Sequence, residues 1–395
     1  MTDGRRVVVT GMGAVSAAGP GVAAFWESCL EGRTALRPGR FAAARRGPTP
    51  VGEFPVPLPV DCERAAAFVE MAASEAVERA APGPAGLARG TGVVLGTCLG
   101  GALEVFDWLD AMRTATDAGM SPVFPPTGGL GSTAWNLADR HALDGPVVSL
   151  SSACTSGLAA IAHAAETIRR GEADCMLAGG VDALSEFVVS GFGLIGALTS
   201  TRVRPFDRRR DGLALGEGAG LLVLEESRQA ASRGATILAE IAGCGSAGDA
   251  HHMRGPSPEG DGLARAMAAA LRDSGLGPGS VEFIATHGTG TVQNDRMEAR
   301  AIRRRFGDAA ARIPVSSIKP IVGHTLGAAG TLAAILCIKV MTEGRIPPIL
   351  DCEEPEAGVE IDLVRGKARC GPVRCALTIA SGFAGHNAAI LLVAP

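Results

Sequence analysis

The 395-residue chain is 47% apolar and 20% charged, and its 37 basic and 41 acidic side chains leave a formal net charge of −4. That length gives two domains, or one large duplicated one, an ample core, while the slight acidity excludes an electrostatic case for nucleic acid or a membrane surface as partner. The 10 cysteines are scattered without a Cys-x-x-Cys pair or a zinc spacing, so no metal site is read and free thiols in a cytoplasmic setting are expected.

The chain opens on an apolar strand, Arg6 to Thr10, with no signal-peptide pattern. Gly11-Met12-Gly13 reads as a tight turn after it; the third glycine and the downstream acid of a dinucleotide fingerprint are missing. Arg37 to Pro59 is rich in Arg and Pro and reads as a surface excursion. An alanine-rich helix, Ala65 to Ala80, leads through Pro82-Gly83 to the strand Gly92 to Leu95 and then Gly96-Thr97. Residues 145–161 then carry a strand that stops in small residues and turns into a helix, with Cys154 at the junction. Unpartnered N–H groups of a first helical turn favour a thiolate there, and the thiolate is the reactive form. A buried cysteine acting as a small hydrophobe is the alternative. Gly216 to Gly220 reads as a close-packed turn before the strand Leu221 to Leu224.

The second half repeats the plan. A helix from Ala264 to Ser274 leads through Pro278-Gly279 to Val281-Ile284 and then His287-Gly288-Thr289-Gly290-Thr291. Residues 313–335 are again a strand, a small-residue turn and an alanine-rich helix, and Leu158-Ala159-Ala160-Ile161 recurs as Leu332-Ala333-Ala334-Ile335. This order argues an internal duplication and predicts parallel α/β layers with chemistry at the carboxyl ends of strands. Cys154, His287, Lys319 and His324 all follow predicted strands, which places them at one site between the halves. Only three of the 37 basic residues are lysines, which makes Lys319 on its serine-lined turn conspicuous. The apolar run from Thr331 to Val340 is too short for a bilayer span.

In combination, Ala153-Cys154-Thr155-Ser156-Gly157, Pro205-Phe206-Asp207 with Arg210-Asp211-Gly212, the His287 block and Lys319 to His324 resemble the β-ketoacyl-acyl carrier protein synthases of the elongating Cys-His-His type, known from type II fatty acid and polyketide systems. The resemblance runs from Val8 to Asn387 and implies a thiolase-like αβαβα layered sandwich of two duplicated halves, with a boundary expected between residues 1–232 and 233–395. It implies Cys154 as the acyl-holding nucleophile and His287 and His324 as donors to the malonyl thioester. It makes Lys319, with Glu298 as its support, the group that orients His324. It implies Phe383 as gate and oxyanion donor, Thr289 and Thr291 as pantetheine contacts, and Phe192 and Val105 as acyl-tunnel lining. No cofactor is implied beyond the phosphopantetheine of the acyl carrier protein, and the expected partners are that carrier and a second copy or a paralogous chain-length factor. Two departures stand out: Arg254 takes the place of a small hydroxyl residue, and Ala384 that of a glycine. A non-catalytic chain-length-factor-like partner and a thiolase-like acyl-CoA transferase are the alternative functions. Arg202, Arg204 and Arg208 form either a landing site for an acidic carrier or intramolecular pairs.

Overall fold

The computed structural model describes residues 4–39, 49–58, 63–81, 86–102, 105–106, 109, 112–113 and 129–395. Pro82-Gly83 and residues 40–48 and 59 of the Arg- and Pro-rich stretch lie outside them. The central strands are β1 (Val7–Ser16), β2 (Gly92–Gly96), β3 (Val147–Leu150), β4 (Cys175–Asp182) and β5 (Gly218–Glu226) in the first half. In the second half they are β6 (Ala239–Gly248), β7 (Phe283–Ala285), β8 (Pro314–Ser316), β9 (Asp362–Leu363), β10 (Cys375–Ser381) and β11 (His386–Val393). They lie in the order β9-β8-β7-β10-β11-β6-β1-β5-β4-β2-β3.

Read outward from the centre, β1-β5-β4-β2-β3 and β6-β11-β10-β7-β8 are the same path. Each first pairs antiparallel twice and then parallel twice. The two paths join where β1 meets β6, at Val8↔Glu240 and Val9↔Ala239. The expected parallel pairing is therefore corrected to a mixed one. The β10–β11 connection, Gly382–Gly385, is a tight hairpin turn that can only return antiparallel.

Alternation along the strands builds the layers. Val94, Met176, Leu222 and Leu224 of the first half point into the same core as Phe283, Ala376, Ile390 and Leu392 of the second. Between these faces lie helices α4 (Ser156–Arg169) and α8 (Ala329–Glu343), named in the series α1 (Gly21–Glu31), α2 (Arg64–Ala80), α3 (Ser132–Arg140), α5 (Glu186–Leu194), α6 (Asp261–Ser274) and α7 (Val292–Phe306). Val93, Leu95, Leu177 and Val223 face outward onto α2 and α3. Ile284, Val315, Leu377 and Leu391 face outward onto α6 and α7. Five layers result, as expected. Each fully buried Leu, Ile or Val contributes about 1.5–3 kcal/mol of transfer free energy. Leu326–Glu343 is the one helical stretch among the described residues long and apolar enough to cross a membrane, and 78% of it is buried inside the protein. Its place as a middle layer accounts for its composition.

Three local readings change. Gly11 and Gly13 lie inside β1, where a Cβ would sit 2.1 Å from the Ala76 carbonyl oxygen and 1.9 Å from that of Ala72, so they admit the backbone of α2. Gly218 to Gly220 are strand residues of β5, and Gly216 pairs beside Gly52 in a short strand. In the Arg- and Pro-rich stretch, Val51 and Phe54 are buried, so that part is core.

Candidate active site

The parallel pairing of β2 with β3 brings two turns side by side at one edge of the sheet, and the β3 turn carries Cys154. Ala153 takes a left-handed φ of 53°, which rotates the chain sharply before Cys154. Hydroxyls lock this turn: Thr155 Oγ1 donates to the Ser152 carbonyl (2.7 Å), and the Ser152 N–H donates to Ser156 Oγ (2.9 Å). Cys154 is buried at 6% exposure, immediately ahead of α4.

Facing it across the two halves is the turn after β8. Nε2 of His324 lies 3.0 Å from Sγ of Cys154. The backbone of His324 is fixed on both sides, its N–H donating to the Ala214 carbonyl (2.7 Å) and its carbonyl accepting from Gly216 N–H (2.9 Å). The approach is close because the facing backbones lack side chains. A Cβ on Gly157 would lie 2.6 Å from the Gly327 carbonyl oxygen. His287 packs edge-on against His324 with ring centroids 5.1 Å apart. All three groups and Lys319 are buried.

The electrostatics follow from these contacts. The Cys154 thiol is held well below its ordinary value, first by the thiol of Cys98, against the opposing effect of burial, and then by His324 and the charge of Lys319. Burial, then the charges of Lys319 and His324, hold His287 well below the usual imidazole range, so its ring is neutral at pH 7. Lys319 is pushed down to about 8 by burial, opposed by the charges of Glu298, Cys154 and Asp295. Burial also pushes Glu298 up to about 8, opposed most strongly by the Gly288 N–H. The direct hydrogen bonds of Glu298 go to the backbone N–H groups of His287 and Gly288 (2.8 Å for Gly288) and to Asn294. Its contact role is to hold the His287 turn, and it acts on Lys319 through charge.

The loop 288–291 is set by a second buried network that the Pro205-Phe206-Asp207 and Arg210 motif supplies. Arg210 pairs with Asp295 at 3.5 Å and with Glu356 at 2.5 Å, and donates to the carbonyls of Thr291, Val292 and Asp207. Asp295 accepts from Phe206 N–H (2.8 Å) and Gly290 N–H (3.2 Å). Thr289 and Thr291 consequently stand together, their hydroxyl oxygens 2.9 Å apart.

Cys154, His287, His324, Thr289, Thr291, Phe192 and Phe383 line one cavity of about 830 Å³. The exposed residues His251, His252, Arg254, Arg296 and Arg300 complete its rim. The Phe383 turn lies against Cys154: a Cβ on Gly382 would come within 3.2 Å of the Cys154 nitrogen. Val105 is half-buried and is not among the residues lining this cavity. Arg202 and Arg208 are engaged with Asp351 and Glu354, so this basic run consists at least partly of intramolecular pairs.

Two residues were missed in the sequence. One is Cys98, on the turn after β2, whose thiol helps hold the Cys154 value down. The other is Asp182 at the end of β4, whose buried carboxylate accepts from Thr97 Oγ1, from Cys98, Leu99 and Gly327 N–H, and so ties the β2 turn to the His324 side. A carboxylate ending an otherwise apolar strand was the only signal for it.

A nucleophilic thiolate, a neutral imidazole donor and a second imidazole, opening into one deep cavity, suit acyl transfer followed by chemistry on a second carbonyl. Comparison with known proteins agrees. Residues 4–230 match the beta-ketoacyl synthase N-terminal domain and residues 238–353 the beta-ketoacyl synthase C-terminal domain. The chain is 36% identical over 408 residues to 3-oxoacyl-[acyl-carrier-protein] synthase 2 of Coxiella burnetii (strain RSA 493 / Nine Mile phase I), covering 98% of each chain. It superposes on the ishigamide ketosynthase/chain length factor with a TM-score of 0.91 at 34% identity, covering 99% of this chain and 100% of that one. A type II PKS ketosynthase, solved with its acyl-carrier protein and bound to the hexaketide, gives a TM-score of 0.92 at 30% identity over 100% of both chains. With the duplicated fold and the paired turns that carry Cys154 and His324, these matches establish that the chain belongs to the beta-ketoacyl synthase family.

Proposed function

We propose that the protein is an elongating 3-oxoacyl-[acyl carrier protein] synthase of a fatty acid or type II polyketide pathway. The observation that carries this reading is the 3.0 Å contact of Cys154 with His324, with a second buried histidine against it. The Cys154 thiolate attacks the acyl thioester of a carrier protein, and the tetrahedral adduct expels the carrier's phosphopantetheine thiol. N–H groups of Cys154 and Phe383 hold the oxyanion. Malonyl-carrier protein then enters along Thr289 and Thr291. Its thioester carbonyl takes hydrogen bonds from His287 and His324, carbon dioxide leaves, and the enolate carbon attacks the acyl-Cys154 carbonyl. The carbon–sulfur bond breaks, freeing 3-oxoacyl-carrier protein and the Cys154 thiolate.

The protein works as a dimer on this reading, with a second copy or a chain-length-factor-like chain, in the cytoplasm. Supporting the dimer are the half-exposed edge strand β3 and the exposed apolar side chains of Trp135 (63% exposed), Phe187 (60%) and Leu194 (64%). The relative named for a ketosynthase and chain length factor is similar to this chain over its whole length.

The test is acylation and turnover followed by intact-protein mass spectrometry. Cys154→Ala takes up no acyl group and condenses nothing, whereas Cys154→Gln still releases carbon dioxide from malonyl-carrier protein because the histidines remain. An acyl adduct formed from acyl-CoA but never from acyl-carrier protein sinks the reading in favour of a thiolase-like activity.

A further inference from the structure

The Asp182 carboxylate is 1% exposed, and among the described residues no basic side chain pairs with it. Its partners there are neutral donors. Oδ1 accepts from Thr97 Oγ1 and Leu99 N–H, both at 2.9 Å. Oδ2 accepts from Cys98 N–H at 2.9 Å and Gly327 N–H at 2.6 Å. Burying a carboxylate without a counter-charge is costly, and burial pushes its value up. An apolar residue would spare that cost but leave these donors without an acceptor.

The donors belong to the two sides of the site. Thr97, Cys98 and Leu99 form the turn after β2, which lies directly on the start of α4. A Cβ on Gly96 would sit 2.2 Å from the Ser156 carbonyl oxygen, two residues beyond Cys154, and Ser156 Oγ is 3.5 Å from the Thr97 carbonyl. Gly327 is on the other side, three residues beyond His324. The end of β4 passes between them: a Cβ on Gly180 would lie 2.2 Å from the Gly327 carbonyl oxygen and 3.1 Å from Gly157 Cα.

The Gly327 side is the strained one. Leu326, just before it, takes a left-handed φ of 50°. That region is costly for a bulky residue and persists only where the surroundings impose it. Two bonds impose it here. Ala328 N–H donates to the Thr325 carbonyl at 3.0 Å, closing the turn, and Asp182 holds the Leu326–Gly327 peptide from outside it. The Leu326 side chain is thereby buried with Leu184, Val188, Leu198 and Leu213, the cluster on which Phe192 of the cavity wall packs. The backbone of His324 is already pinned to Ala214 and Gly216. That anchor alone would let the turn pivot about His324, and the second anchor at Gly327 removes the freedom.

We propose that Asp182 is a positioning residue, whose carboxylate joins the β2 turn to Gly327 and thereby sets the 3.0 Å separation of Cys154 Sγ and His324 Nε2. This rests on the reading of Cys154 and His324 as reacting groups. Asp182 acts through the backbone on either side of them and takes no part in the chemistry.

The experiment is Asp182→Asn in the full chain, assayed well below its melting temperature. The amide keeps one acceptor oxygen but turns an N–H group toward the donors of the other, so one side is released. The kcat of condensation is expected to fall roughly 100-fold, the effect of about 1 Å of displacement at reacting groups. KM for malonyl-carrier protein should stay near its original value, because the Thr289 and Thr291 loop is held by the separate Arg210 network. The pH midpoint of Cys154 alkylation by iodoacetamide, read by peptide mass spectrometry, should rise by about one unit as His324 withdraws. That is the scale of one hydrogen bond to a charged acceptor. A residue that only stabilised the fold would lower the melting temperature and leave kcat and the midpoint where they are. An unchanged kcat or an unmoved midpoint in folded Asp182→Asn overturns the proposal. Should that variant not fold, Asp182→Glu decides, since it keeps the charge and both oxygens on an arm too long for the gap. The same fall in kcat supports the proposal, and an unchanged kcat overturns it. Alkylation needs no acyl substrate. A protein that condenses nothing, while its midpoint still depends on Asp182, therefore contradicts the proposed function alone.

Discussion

The ring of Phe383 lies on that of Phe192, centroids 5.5 Å apart and planes 16° from parallel. Phe383 sits in the β10–β11 turn and Phe192 on α5, so one stacked pair couples the turn beside Cys154 to the wall of the cavity. Such a pair contributes about 0.5–1.5 kcal/mol beyond its buried area. Phe383→Ala and Phe192→Ala are each expected to slow acylation of Cys154 by roughly two- to tenfold, and the double variant no more than the slower single. Single-turnover mass spectrometry of the acyl-enzyme measures this; additive losses would show that the rings act separately.

The pH dependence of decarboxylation has a definite sign. His287 is depressed by burial and by the charges of Lys319 and His324, so its ring stays neutral well below the ordinary 6.5. Carbon dioxide release by Cys154→Gln should therefore be flat from pH 7, below the titration of Lys319 and Glu298 at about 8, to below pH 6. Removing a positive neighbour in Lys319→Ala raises the His287 value, and the acid limb should move to higher pH. For folding, the unfolded chain binds this proton below pH 6.5 and the folded one does not. The contribution of His287 to stability is complete above that pH and is lost as the pH falls, which denaturant midpoints across pH 4.5–7.5 would register.

Arg210 is 1% exposed in its side chain and is the only side chain joining Asp295 and Glu356 to the Thr291 and Val292 carbonyls among the described residues. Arg210→Leu leaves Asp295 buried without its counter-charge. A loss of about 3–5 kcal/mol in unfolding free energy is expected. The 288–291 loop should loosen with it, visible as faster amide exchange at Gly290 than at β10.

Gly327 has no room for a methyl group: its Cβ would sit 2.7 Å from an Asp182 carboxylate oxygen and 2.9 Å from the Thr97 Cα. Gly327→Ala must push the α8 side away from the Cys154 side. About 1–3 kcal/mol of stability should go, and condensation should fall by roughly 100-fold, since a displacement of about 1 Å at reacting groups has that effect. Equilibrium unfolding and steady-state turnover together test it; normal turnover at reduced stability would refute the geometric link.

Much of this arrangement was legible in the residues. Cys154, His287, Lys319 and His324 announced themselves because each breaks an apolar strand with small hydroxylated or glycine neighbours, and because two stretches of chain repeat one plan. Strand direction was not legible, since Leu221 to Leu224 and Leu377 to Ala380 are buried on both faces and periodicity cannot tell parallel from antiparallel there. Gly11 and Gly13 misled as a turn because their cause, the backbone of α2, lies some sixty residues away. Cys98 was hidden because a cysteine after an apolar strand has the ordinary look of core. Val105 followed from resemblance alone and falls outside the cavity lining.

Cys154 follows β3 and the His324 turn follows β8, which are the same strand in the two matching paths of the sheet. The turns that carry Cys154 and His324 are thus counterparts in the duplicated plan, and the contact between the two side chains joins one half to the other. Two identical halves would be obliged to present the same side chain from both directions, thiol to thiol or imidazole to imidazole. A thiolate beside an imidazole requires the two turns to differ, and duplication within one chain lets each copy change independently.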